Sequence, residues 1–135
     1  MKSNFLRLLS ASMLALLLSQ VACAADVAII SNLGSNLTPD EVKEIFLGDK
    51  QFTGSTKLIP VDNAALQEKF LAKFLQMTPS KYNSLWGKKS FRDGLTPPAM
   101  KSGDAEVIDY IKRTPGAVGY VASPPAATFP LRRLE

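Results

Sequence analysis

Few residues in this sequence have types and spacing suited to chemistry, and what they suit is holding a small polar ligand. Ser31-Asn32 and Asp62-Asn63 each follow a short apolar run, and Tyr120 lies within a third. Side chains so placed offer hydrogen-bond donors and acceptors at strand ends, beyond which open α/β sheets bind their ligands. Ala64-Ala65-Leu66 follow at what reads as a helix start. A helix N-terminus presents free N–H groups and about half a positive charge, so Asn63 with the Ala64, Ala65 and Leu66 backbone is a candidate anion cradle. Asp62 opposes an anion there, unless the anion is protonated and donates to the carboxylate. Each position also has an ordinary reading: Asp62-Asn63 as a helix cap, Ser31 and Asn32 as loop residues, Tyr120 as half-buried at the sheet edge.

For catalysis the signal is poor. The 135-residue chain has no His and a single Cys, which excludes zinc fingers, Cys–His dyads, Ser–His–Asp triads and an internal disulfide. Asp40, Glu41 and Glu44, like Asp104, Glu106 and Asp109, stand on the first turns of helices, where the dipole explains them. There is no nucleophile elbow, no Gly-rich phosphate loop and no acidic cluster at metal-ligand spacing. The expectation is a non-enzymatic binding module without metal or cofactor. Lys81, Lys88, Lys89 and Arg92 form the densest basic cluster, and Arg132-Arg133 a second. Such groups are a solvated face, or a dock for an acidic partner or an anionic lipid surface.

Residues 1–24 read as a secretory signal. Lys2 and Arg7 precede an apolar stretch over residues 8–18, and Ala22-Cys23-Ala24 supplies small residues for cleavage. The apolar stretch is too short to cross a membrane, and nothing later is long enough. Cleavage after Ala24 sends a chain without Cys to the periplasm. Alternatively, Val21-Ala22-Cys23 ends a lipoprotein signal and Cys23 carries the anchor. The leader holds two of the 16 basic residues and none of the 12 acidic ones, so the remainder has a net charge of +2. That argues against nucleic acid as a partner.

The elements that must position these residues follow from periodicity and punctuation. Residues 27–30 form a first strand. Thr38-Pro39-Asp40-Glu41 spells a capping box with Pro in the first turn, opening a helix that faces inward through Val42, Ile45 and Phe46 and stops at Gly48. Residues 49–56 read as a loop. Residues 58–61 form a second strand, whose Pro60 points to an edge position or a strand end. Asp62-Asn63 then cap a helix with Leu66, Phe70 and Phe74 recurring every four residues and Leu71 and Leu75 beside them. Thr78-Pro79 starts a third helix, in which Tyr82 and Trp86 share a core face. Asp104–Arg113 is a fourth, facing inward through Val107, Ile108 and Ile111. Thr114-Pro115-Gly116 is a turn needing a positive φ at Gly116, and Gly119 marks a close backbone approach. Residues 117–121 make a third strand, and Ser123-Pro124-Pro125 leads to a last extended stretch near Leu131. The expected class is α/β: a three-layer-like single lobe with a small, mainly parallel sheet of about three or four strands flanked by about four helices. The lobe covers residues 25–122, with an extended tail over 123–135.

Several phrases taken together resemble the type 2 periplasmic solute-binding fold, in particular relatives of the phosphate-binding component of ABC transporters. They are Leu37-Thr38 with Glu44-Ile45-Phe46-Leu47-Gly48, Ile59-Pro60-Val61-Asp62 before the helix of Phe70, Tyr82-x-x-x-Trp86, Pro97-Pro98, and the run from Thr114-Pro115-Gly116 through Tyr120-Val121. The resemblance spans roughly residues 26–122 and implies phosphate or another small oxyanion as ligand. Two departures stand out. Full-size members clamp the ligand between two lobes, and this chain supplies one, so a homodimer or an envelope protein would complete it. Phosphate-binding members also carry an Arg followed by Ser-Gly-Thr where this chain reads Asp62-Asn63-Ala64-Ala65-Leu66. Loss of the guanidinium and hydroxyls leaves two readings: weak oxyanion binding at the helix start, or a protein-interaction module of the cell envelope that has lost its ligand.

Overall fold

The computed structural model describes residues 27–122 and 132–134; the leader, Cys23 and most of the tail lie outside the described residues. A sheet of order β5-β4-β6-β1-β7 runs through the molecule, built from β1 (Ala28–Ser31), β4 (Ile59–Asn63), β5 (Ala99–Lys101), β6 (Ala117–Val121) and β7 (Arg132–Leu134). A small hairpin of β2 (Phe52–Thr53) and β3 (Thr56–Lys57) stands apart. The helices are α1 (Pro39–Phe46), α2 (Gln67–Phe70), α3 (Pro79–Asp93) and α4 (Asp104–Arg113). The class is therefore α/β.

The sheet is mixed rather than mainly parallel. β4 pairs parallel with both β5 and β6, whereas β1 runs antiparallel to β6 and β7. The reason lies in residues 32–58, which return the chain to the sheet end it has just left. Asn32 exchanges backbone hydrogen bonds with Ala117 and Gly116, and Ile59 N–H donates to Gly116 O at the same end. Pro60 follows in a strand that is central, not an edge. It is tolerated because Ile59 N–H points to β6, so the missing donor falls on the β5 side, where pairing starts only at Val61 opposite Ala99.

Side-chain alternation divides the core in two. Ile29, Val118 and Tyr120 face the larger layer, packing with Val42, Ile45 and Phe46 of α1, with Phe70, Leu71 and Leu75, and with Tyr82 and Trp86 of α3. Ile30, Val61, Ala117 and Val121 face the thinner layer, filled by Val107 and Ile111 of α4. Every residue of β6 is buried, as a strand covered on both faces must be. Gly119 allows α4 to come this close: a Cβ there would stand 2.7 Å from Ile111 Cδ1 and 2.9 Å from Val107 Cγ1. Gly116 sits at φ +85° with its Cβ direction blocked by Lys57 O.

Local signals explain most boundaries. Thr38 and Glu41 form the reciprocal capping box, at 3.2 Å and 2.8 Å. Thr78 caps α3 through Lys81 N–H, and Gly94 ends it in the left-handed conformation. Residues 52–57 form the hairpin where a plain loop is expected over 49–56, with Gly54-Ser55 at its turn. The helix bearing Phe70 departs further from expectation. It starts at Gln67 after Leu66, runs one α-turn, and then widens into a π-helical turn over Leu71–Leu75 that Gln76 closes at φ 50°. The wider turn keeps Phe70, Leu71 and Leu75 buried together while Phe74 stays half-exposed.

Candidate functional site at the strand ends

The carboxyl ends of β4 and β6 lie side by side, and the adjacent residues Asp62 and Asn63 project to opposite faces. Asp62 enters the larger layer, where it is 2% exposed. Its Oδ2 accepts from the Tyr82 hydroxyl and its Oδ1 from the Tyr120 hydroxyl, both at 2.8 Å, and the Gln67 side chain adds a further hydrogen bond. The Tyr120 ring is stacked on Phe70 with centroids 3.9 Å apart, which fixes where its hydroxyl points. Burial pushes the Asp62 pKa above the usual carboxylate range, against the three hydrogen bonds that favour the ionised form. Both tyrosines are pushed up, first by burial and then by the neighbouring carboxylate.

Asn63 turns to the thinner layer and is fully buried. Its amide nitrogen donates to Asp104 Oδ1 at 2.9 Å and to Tyr120 O at 3.1 Å. The other oxygen of Asp104 accepts from Ala122 N–H at 3.1 Å, so one carboxylate ties the ends of β4 and β6 to the start of α4. The backbone that follows Asn63 is equally committed. Ala64 N–H donates to Lys101 O, Ala65 N–H to Asn63 Oδ1, and Leu66 N–H to Asn63 O. The expected cradle is thus an Asx turn with its donors in use, and the helix behind it starts later and is only one turn long.

The sequence placed Ser31 and Asn32 on the same rim as Asp62, Asn63 and Tyr120. The structure separates them. Because β1 is antiparallel to β6, Ser31 is level with Val118, as Pro60 is, at the other end of the sheet. Asn32 lies roughly 13 Å from Asn63 along the strand direction, judged from register and rise. Ser31 is buried, and Asn32 donates its side-chain amide to Ile111 O at 3.0 Å, capping the C-terminus of α4. Tyr120 is fully buried rather than half-buried at an edge.

Three contributors were not singled out for the site from sequence. Helical spacing puts Tyr82 in the core, and its ring is there, but a buried Tyr also needs a hydroxyl partner, and a carboxylate behind an apolar strand needs donors. Matching those two needs would have paired it with Asp62. Gln67 and Asp104 carry no such signal, since an acid on a helix's first turn is ordinary.

A cleft of about 220 Å³ opens over Asp62 and Tyr82, walled by Gln67, Asn83, Pro98 and Met100. Among the described residues no group of three or more acidic, His or Cys side chains is placed to hold a metal ion. No helix among them is long and apolar enough to cross a membrane. No family model, curated protein or solved structure matches the chain. The geometry alone therefore says what this rim is able to do: it holds its own polar groups in a closed network.

Proposed function

We propose that the chain is an exported, non-catalytic interaction module of the cell envelope, a single lobe of the periplasmic-binding type that engages a protein partner and has given up small-molecule capture. One observation carries this reading. The donors that an oxyanion would need at the strand ends are already paired within the chain, Ala122 N–H and the Asn63 amide to Asp104, and residues 64–66 to Lys101 and Asn63. A free anion would have to displace a tethered carboxylate that costs no association entropy. The parallel arrangement of β4, β5 and β6, with helices on both faces, supports the single-lobe assignment.

A second reading, that of a phosphate or small-oxyanion receptor, rests on the same place. Two donors converging on the two oxygens of Asp104 suit an oxyanion as well as a carboxylate. Calorimetric titration of residues 25–135 with phosphate at low salt separates the two. The interaction-module reading expects no heat up to several millimolar phosphate. Micromolar binding that is lost in Asn63→Leu would overturn it in favour of the receptor.

A further inference from the structure

The outward face of α3 is unlike the rest of the described surface. At about 100° per residue, Tyr82 and Trp86 mark the buried side of this helix, and Ser84, Lys88 and Phe91 fall roughly opposite, flanked by Lys81 and Arg92. All five are exposed, and Phe91 is 95% exposed, the barest of the large hydrophobic side chains described. Lys89 does not belong to this face, since it turns inward to Leu47 O and Asp49. Among the described residues Lys81 and Lys88 have no ion-pair partner, and Arg92 reaches only its neighbour Asp93, at 3.6 Å. From Lys81 to Arg92 the cations extend roughly 16 Å along the helix axis.

We infer that this face seats on an anionic lipid bilayer, the Phe91 ring entering the acyl boundary while Lys81, Lys88 and Arg92 lie among the headgroup phosphates. Charge complementarity and the isolation of the ring favour a bilayer over a protein. An aromatic anchor in a protein interface is surrounded by contacts that exclude water. Phe91 instead follows Lys88 by one turn and precedes Arg92, and among the described residues it is the one large hydrophobic side chain of α3 that is exposed, whereas a bilayer supplies both an apolar slot and anions around it. The long basic side chains bury their stems and keep their charges at the phosphate level. This goes beyond the interaction-module reading: it concerns where the module sits, and it stands or falls without reference to what the rim binds.

The test is co-sedimentation of residues 25–135, which contain every described element, with vesicles of mixed phosphatidylglycerol and phosphatidylcholine and with phosphatidylcholine alone. Binding is expected on the anionic vesicles only, weakening as salt rises. Phe91→Ser should weaken it about tenfold. Lys88→Gln and Arg92→Gln should each weaken it roughly fivefold. All three positions are exposed, and circular dichroism verifies that the variants keep the fold. No binding to anionic vesicles overturns the proposal, as does binding indifferent to these substitutions. Equal affinity for soluble polyglutamate, independent of Phe91, would also overturn it and point to an acidic protein instead.

Discussion

At the ends of β4 and β6, a carboxylate, an amide, two tyrosine hydroxyls and several backbone N–H groups are packed out of water, and each meets a partner in the same chain. Among the described residues no buried side-chain polar atom is left without one. On the outward face of α3 the situation is reversed, with Lys81 and Lys88 unpaired and a phenyl ring in water. The two regions are joined by one helix, since Tyr82 reaches the rim from the inner side of α3. Burial explains the difference. A polar group withdrawn from water must be paired internally or cost a few kcal/mol, whereas an exposed cation is satisfied by solvent and remains free for a partner. The rim therefore stabilises, and the outer face of α3 is the surface with something left to offer.

Replacing Asp62 with Ala should break this contrast most strongly. It deprives two buried hydroxyls of their acceptor and opens a void, with some relief from removing a desolvated charge, for a net loss of about 3 kcal/mol. Urea unfolding would measure it, and a loss below about 1 kcal/mol would contradict the network. Asp104→Ala comes next. Without that carboxylate the Asn63 amide and Ala122 N–H lose acceptors, at a cost of about 1–2 kcal/mol. The same variant should gain a calorimetric response to millimolar phosphate if Asp104 is what fills the anion position. An unresponsive variant would show that the strand-end donors cannot hold an oxyanion at all.

A smaller effect concerns pH. Burial raises the Asp62 pKa above its unfolded value, so the folded state holds this proton more tightly. Its contribution to stability is present below the unfolded pKa and is lost as pH rises through the folded pKa. Asp62→Asn should abolish that fall. A matching pH dependence of unfolding in wild type and Asp62→Asn would show that burial does not perturb this carboxylate. The smallest change is expected on the other side of the comparison: Phe91→Ser and Lys88→Gln should leave stability within about 0.5 kcal/mol of wild type. A larger loss in urea would mean that the outer face of α3 packs against something within the chain.

Much of the architecture was legible because it rests on short-range chemistry. The Thr38 capping box, the Thr78-Pro79 start, the Pro115-Gly116 turn and the inward faces of α1 and α4 all follow from residues within a turn of one another. The hairpin at Gly54-Ser55 was legible only as a loop, because strands of two residues leave no alternation to read. The π-helical turn was not legible, since a stripe recurring every four residues does not show where the helix widens. Part of the candidate site was legible too. Asp62, Asn63 and Tyr120 do meet at one rim, because parallel strands bring their carboxyl ends together.

Sequence by itself determined that the chain lacks the His and Cys for most catalytic and metal chemistry, that its apolar runs alternate with amphipathic helices, and that Tyr82 and Trp86 share the core face of α3. These are matters of composition and period, fixed along the chain. Only the tertiary structure decided that β1 runs against β6, which moves Ser31 and Asn32 to the far end of the sheet. It also decided that Asp104, 41 positions from Asn63, accepts from the Asn63 amide and from Ala122 N–H. Strand direction and long-range pairing depend on how the whole core closes, and local spacing carries no record of either.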